Sequence, residues 1–247
     1  LRFDVLTLFP EFIMQGCSFS IIKRAVSAGL IEINTVNPRD YTLDKHKKTD
    51  DTPYGGGSGM LLMCQPYLDA LKNTIKLENS KTIIMSPQGR CFNQKTAEEF
   101  AQYNQLIILC GHYEGFDERI KVLSGAEEIS IGDFVSTGGE LPALCIIDTV
   151  SRLVKGVLGS DESALNDSHS DGLLEYPQYT KPGVYEGLEA PEVLLSGNHQ
   201  KIQEWRRIQQ FKITRKKRPD LFEKFLKSDL NSLDKKLLKK FYEEENK

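Results

Sequence analysis

The sequence has no continuous apolar run of about 18 residues, so no transmembrane helix is expected. Its five cysteines are Cys17, Cys64, Cys91, Cys110 and Cys145, widely spaced and never in C-x-x-C. That spacing disfavours a zinc site or thioredoxin-like chemistry. Apolar-flanked thiols such as Cys110 and Cys145 are expected to be small core residues in a reducing compartment. Residues 1–10 have no basic segment before an apolar stretch and read as a strand rather than a signal peptide. The chain is therefore expected to be cytoplasmic. No G-x-x-x-x-G-K-[ST] is present, and the glycine-rich string at residues 55–60 lacks the lysine of a P-loop. Nor does a G-x-G-x-x-G follow the first strand, which disfavours a dinucleotide-binding Rossmann fold. A large basic excess is missing too, since the net charge is −3.

What is present is an ordinary globular composition of 247 residues, 27% charged and 9% aromatic. Charge is distributed unevenly. Residues 198–220 carry eight basic side chains against two acidic ones, including Arg215, Lys216, Lys217 and Arg218. A smaller cluster is Lys45, His46, Lys47 and Lys48. Such patches attract a phosphate backbone, although each alone is equally a solvated face.

The first two-thirds alternate between strand and helix patterns. Strands are expected at 2–9, 31–36, 81–86, 106–110 and 128–131, and helices at 20–28, 65–77, 93–103 and 139–157. Pro66 suits a first helical turn, Asn93 a cap, and Leu141, Leu144, Ile147, Val150 and Val154 lie near one side of the last helix. This is an α/β pattern with a mostly parallel sheet over residues 1–159. Residues 160–191 are rich in Ser, Asp, Gly, Pro and Tyr and read as a linker, expected to be largely mobile in the free protein. Residues 192–247 then form a small C-terminal helical domain.

Three glycine-bearing turns follow sheet strands: Ser86-Pro87-Gln88-Gly89-Arg90, Gly111-His112-Tyr113-Glu114-Gly115 and Ile131-Gly132 through Gly138-Gly139-Glu140-Leu141-Pro142. Loops at the carboxyl ends of parallel strands are where open α/β sheets bind ligands, and glycine lets backbone groups approach closely. A nucleotide-like ligand follows from this placement; each turn alone is also an ordinary structural turn.

These strings, with Asp51-x-Pro53-Tyr54-Gly55-Gly56-Gly57-x-Gly59-Met60, Ser130-Ile131-Gly132-Asp133, Tyr179-Thr180-x-Pro182 and Val193-Leu194-Leu195-Ser196-Gly197-Asn198-His199, closely resemble the bacterial tRNA (guanine-37-N1)-methyltransferase family, TrmD. The resemblance runs in order from the first strand past Trp205 and weakens in the last ~30 residues. It implies the SPOUT fold, an α/β domain with a deep trefoil knot, which periodicity would not reveal because knots are very rare. It implies a homodimer acting on tRNA with G at position 37, with no membrane or DNA partner, and S-adenosyl-L-methionine as methyl donor.

Carried onto this chain, the resemblance assigns cofactor binding to Ile84, Met85, Ser86 and Pro87; to Gly111, Tyr113, Glu114 and Gly115; and to Ile131, Gly132, Asp133, Phe134, Val135, Ser136, Gly138, Gly139 and Pro142. Leu141 and Leu144 have a plainer role as core residues. Guanine N1 carries a proton and is not yet a nucleophile, so a base must remove it while charge on O6 is stabilised. The resemblance places that base at Asp167 and an O6-stabilising arginine at Arg152, with Asp171 the neighbour a slipped alignment would substitute. A loop aspartate in water is a weak base for this proton, so desolvation in a closed dimer interface is expected. Gly55, Gly56, Gly57, Gly59 and Met60 are assigned to placing the target base, although the glycines suit a hinge equally. Asn198, His199, Arg206, Arg207 and Arg215 are assigned to the anticodon stem. His169 is expected to order the linker, and Trp205 to pack the helical domain rather than stack on RNA. The family also raises Mg²⁺, with Glu114 the candidate to bring positive charge to the methionine site. Two rivals remain: a knotted methyltransferase acting on a ribose 2′-hydroxyl, and a non-catalytic RNA-binding module. The presence of both Arg152 and Asp167 speaks against each.

Overall fold

The computed structural model describes residues 1–159 and 167–245. The chain divides into two compact units between residues 161 and 162. The first unit holds β1 (Arg2–Leu6), α1 (Pro10–Gly16), α2 (Ser20–Ser27), β2 (Glu32–Val36), β3 (Asp50–Asp51), β4 (Leu61–Leu62), α3 (Cys64–Asn73), β5 (Ser80–Cys91), α4 (Gln94–Phe100), β6 (Gln105–Leu109), α5 (Glu118–Ser124), β7 (Glu127–Ser130) and α6 (Glu140–Ser151). Five strands form one sheet in the order β2-β1-β6-β5-β7, with every pairing parallel. The short β3–β4 pair is antiparallel and separate.

Strand alternation divides the apolar residues between two faces, as a sheet covered on both sides requires. Phe3, Val5, Ile83, Leu106 and Ile108 meet Ile13 of α1, Phe100 of α4, and Ile146 and Val150 of α6. Leu6, Ile84, Ile107 and Leu109 meet Tyr67 and Leu71 of α3 and Ile120 of α5. The central strand β6 is buried along its whole length, which explains its unbroken apolar sequence.

Helix ends differ most from expectation. α3 stops at Asn73 rather than Leu77, leaving Ile75 and Leu77 exposed. The cause is Gln105: its buried side chain donates to the Ile75 carbonyl at 2.8 Å and accepts from the Leu77 N–H at 2.8 Å, holding that segment off the helix. Its Nε2 also donates to the buried Asp4 carboxylate at 2.6 Å. α6 ends at Ser151 rather than Val157; Leu153 N–H to the Val150 carbonyl and Val154 N–H to the Ser151 carbonyl are three-residue turn bonds. On α6, Leu141 is 54% exposed and Cys145 is exposed, so neither is a core residue. They lie four apart on the face opposite Ile146, Ile147 and Val150. Cys110 is buried as expected. The helix α1 was not anticipated.

The second unit, residues 162–247, begins with residues 162–166, outside the described residues. Within residues 167–191, the described part of the expected linker, several residues are tied down. Leu173 is buried in the helical core, Leu174 N–H donates to Thr214 Oγ1 at 2.9 Å, and β8 (Val184–Tyr185) pairs antiparallel with β9 (Leu188–Glu189). Four helices follow: α7 (Glu192–Leu195), α8 (His199–Lys217), α9 (Pro219–Leu226) and α10 (Ser232–Glu245). Phe211, Phe222, Phe225 and Phe241 pack ring to ring, with centroids 5.7–6.3 Å apart in four of their pairings. No helix among the described residues is long and apolar enough to cross a membrane.

Replacing Gln105 by Leu should cost about 2–3 kcal/mol of unfolding free energy in a denaturant titration, because the Ile75 carbonyl and Leu77 N–H lose their side-chain partner and the buried Asp4 carboxylate loses one of its donors. A loss below about 0.5 kcal/mol, the range of an ordinary surface change, would contradict the bracing role given to Gln105.

Candidate ligand site at the carboxyl ends of β5, β6 and β7

Three consecutive strand ends build one cavity. Met85 and Arg90 of β5 both pair with Ile129 of β7, so Ser86–Gly89 bulges out of the ladder between them. The bulge returns tightly: a Cβ on Gly89 would stand 2.3 Å from the Glu128 carbonyl carbon, so only glycine fits there. After β6, the chain turns through Gly111–Gly115, closed by the Gly115 N–H to the His112 carbonyl at 3.0 Å. Tyr113 takes a left-handed conformation (φ 58°) in this turn, an unusual state for a bulky residue that clusters at functional sites. After β7, Ser130 Oγ bridges the N–H and carbonyl of Gly132, and Ser136 Oγ donates to the Gly138 carbonyl at 2.8 Å.

The third loop then lies directly against the second. His112 and Gly138 form an antiparallel bridge, and Gly139 N–H donates to the Gly111 carbonyl at 2.8 Å. A Cβ on Gly139 would stand 2.7 Å from the Cα of Cys110, so this backbone-on-backbone contact needs glycine. Tyr67 supports the crossing from below, its hydroxyl donating to the Cys110 carbonyl at 3.2 Å.

The cleft between the three loops measures about 390 Å³, within the range of small-molecule sites. Every residue assigned to the cofactor by resemblance lines it except Asp133. Gln88, His112, Phe116, Glu118, Lys121, Ile129, Ser130 and Thr137 line it as well. The glycine strings pointed to the three loops. Glu118 and Lys121 carried no sequence signal, because they reach the cavity from α5, which was not anticipated.

Beneath the third loop sits a buried polar group. Glu140 is 6% exposed at the first position of α6, where a carboxylate is favoured by the helix dipole. Thr7 Oγ1 donates to its Oε1 at 2.7 Å, while Oε2 lies 3.9 Å from His112 Nδ1, a buried atom with no hydrogen-bond partner. The His112 ring is flanked by Phe9 and Tyr113, with centroids at 4.9 and 5.0 Å.

The glycine loop 55–59 lies between β3 and β4, and Gly55, Gly56, Gly57 and Gly59 all have left-handed φ. It meets the cavity through Glu114, whose N–H donates to the Met60 carbonyl at 3.0 Å. Gly115 is joined in turn by the Leu62 N–H to its carbonyl at 2.9 Å. Arg152 caps the carboxyl end of α6 in the first unit.

Within the second unit, Asp167 is half-buried and its carbonyl accepts from both the N–H and the hydroxyl of Ser170. Asp171 is bound to Arg207 and accepts from the Leu173 N–H at 3.2 Å. His169 holds a left-handed turn, its N–H donating to the Leu173 carbonyl at 2.7 Å. Asn198 caps α8 by accepting from the Lys201 N–H, and His199 is exposed beside it. Arg206 lies over the Tyr176 ring at 4.8 Å, and Trp205 is half-buried beside Tyr179. Arg207, assigned to the anticodon stem by resemblance, is engaged within the unit. It forms a two-pronged pair with Asp234 at 2.7 and 2.9 Å, binds Asp171 and Gln210, and lies over Phe211 and Phe225. Its charge holds the unit together. Arg215 is exposed at the end of α8, next to Lys216 and Lys217, and reaches over the Phe241 and Tyr242 rings.

The family described as "tRNA (Guanine-1)-methyltransferase TrmD" matches residues 1–224 of the chain. The chain belongs to that family. Curated relatives named "tRNA (guanine-N(1)-)-methyltransferase" are similar over their whole length. One from Dehalococcoides mccartyi strain 195 is 51% identical, covering 100% of this chain and 99% of the relative. One from Clostridium botulinum strain Hall is 53% identical, covering 98% of each. One from Ruminiclostridium cellulolyticum strain H10 is 54% identical, covering 93% of this chain and 100% of the relative.

The cavity suits a family methyl donor: residues of three loops line it, and Glu114 lies at its wall for a cationic ligand. Among the described residues, no group of three or more His, Cys, Asp or Glu side chains converges that could hold a metal ion by itself.

Gly139→Ala should lower unfolding free energy by about 1–3 kcal/mol through overpacking. Gly159→Ala, where no atom lies within 4 Å, should stay within about 0.5 kcal/mol. Equal effects in thermal and denaturant unfolding would show that the loop crossing is not the tight point inferred here.

Proposed function

We propose that the chain transfers a methyl group from S-adenosyl-L-methionine to N1 of guanine 37 in the anticodon loop of tRNA, in the cytoplasm. The observation that carries this reading is the convergence of the three glycine loops on one cavity in a chain of this family. S-adenosyl-L-methionine, when bound, supplies an electrophilic methyl group on a sulfonium. The residues proposed to hold it are Ile84–Pro87, Gly111, Tyr113–Gly115, Ile131–Ser136, Gly138, Gly139 and Pro142. Their backbone N–H and carbonyl groups would read the adenine edge, as the glycine-dependent close approaches allow.

Asp167 is the proposed base that takes the guanine N1 proton, and the Arg152 guanidinium stabilises charge developing on O6. Asp171, which is bound to Arg207, is the alternative base. Gly55–Gly57, Gly59 and Met60 would place the target base beside the cavity, and the Glu114–Met60 bond ties that loop to the cavity wall. Phosphates of the anticodon stem would meet Arg215 and the exposed Lys216 and Lys217, with Asn198, His199 and Arg206 on the same helix or its cap.

The reading includes a trefoil knot, formed where the third loop crosses the second at Gly111 and Gly139, and a homodimer. Support for the dimer is the apolar exposure on two helices that pack together in the first unit. Phe12 and Met14 on α1 and Leu141 on α6 are each about half exposed, and Phe19 is 70% exposed. An apolar patch left open in this way marks a protein interface.

Transcripts carrying G or A at position 37 test the reading. The wild-type chain should form N1-methylguanine on the G transcript only. Asp167→Asn should slow this by at least ~100-fold, the usual contribution of a general base, with tRNA affinity retained. Methylation of a ribose 2′-hydroxyl, or an Asp167→Asn variant as active as wild type, would overturn it.

A further inference from the structure

The Ser86–Gly89 bulge forms one wall of the cavity yet lies outside the sheet ladder, so side chains must fix its shape. Lys121 of α5 does this at one end. Its side chain is 16% exposed, and its ammonium reaches Gln88 Oε1 at 3.1 Å, Glu128 Oε2 at 3.0 Å and Glu118 Oε2 at 3.1 Å. Glu128 of β7 stands behind it, pairing with Lys121 through its side chain and packing against Gly89 through its backbone. Inside the bulge, Gln88 N–H donates to Ser86 Oγ at 3.2 Å, and Gly89 packs on the Glu128 backbone.

Burial opposes charge on both groups, but the pairing prevails. Hydrogen bonds to Glu128 and Glu118 hold Lys121 above its ordinary value despite that burial. Hydrogen bonds from Ser86 and Lys121 hold Glu128 below its own. Both stay charged across neutral pH. The adjacent Glu127 pairs instead with Lys81 and Arg90, so Glu128 is the carboxylate that the strand alternation leaves for the bulge.

We propose that the Lys121–Glu128 pair is a clamp on the Ser86–Gly89 bulge, held at Gln88 and Gly89, that sets the cavity's affinity for S-adenosyl-L-methionine. Lys121 and Glu128 are positioning residues. They take no part in proton or methyl transfer and act by holding Ser86, Pro87 and Gln88 in the ligand-ready shape. Without the clamp the ligand must order that wall itself, a cost that appears as lost affinity. The inference rests on the proposed function and extends it to residues outside the glycine motifs.

Calorimetric titration of the full chain with S-adenosyl-L-methionine tests it, with tRNA affinity and melting temperature measured on the same samples. Lys121→Met and Glu128→Gln should each weaken cofactor binding by roughly 10-fold, as expected for loss of hydrogen bonds to a charged group. Lys121→Arg should bind within about 3-fold of wild type, and tRNA affinity should not change. Gln88→Ala leaves the pair intact and cuts one tether, so it should weaken cofactor binding by about 3-fold. It decides the matter if Lys121→Met does not fold. Folded Met and Gln variants that bind the cofactor as wild type does would overturn the clamp alone. Equal losses of tRNA and cofactor affinity would do the same. A wild-type chain that binds no S-adenosyl-L-methionine would overturn the clamp together with the function it rests on.

Discussion

Backbone packed on backbone at the strand ends is the constraint on which the site depends. Gly139 presses against Cys110 and Gly111, and Gly89 against Glu128 and Ile129, each at a spacing that excludes even a methyl group. These two contacts bring loops from β5, β6 and β7 together around one cavity, where glycine holds main-chain groups in fixed positions. Groups fixed before binding carry little ordering cost. The buried Glu140 carboxylate, with Thr7 and His112 around it, lies under the same crossing and places a negative charge at the start of α6.

The helical unit is organised by a different interaction, the Arg207 guanidinium between Asp171 and Asp234 and over two phenylalanine rings. It joins residues far apart in sequence and fixes the segment around Asp171 onto α8. A basic residue within a basic stretch is thus a framework residue, while Arg215, Lys216 and Lys217 are exposed at the end of the helix. Charge counting along a sequence does not separate the two kinds.

Much of the first unit was legible because local signals and burial agree there. The unbroken apolar strings of β5 and β6, the Asn93 cap and the Pro66 helix start all mark elements whose local preference matches their tertiary place. The cavity loops were legible through their glycines. Misreadings arose where distant groups prevail over local preference. Gln105 pulls residues 75–77 away from α3, and no periodicity in that window announces it. Leu141 and Cys145 match an apolar helix but face away from the sheet, since α6 is apolar around more of its circumference than one sheet face needs. Lys121 and Glu128 looked like ordinary charges, because their partnership spans α5, β7 and a bulge that only the fold brings together. The roles of Arg152 and Asp167 came from resemblance alone, since a loop aspartate and a helix-end arginine carry no local mark of chemistry.

Amide hydrogen exchange with and without S-adenosylhomocysteine tests the central claim, that the three crossing loops form one cofactor site. The account predicts joint protection of residues 85–89, 111–115 and 131–139, with the amides of α9 and α10 unchanged. Protection confined to one loop, or appearing mainly in the helical unit, would contradict it.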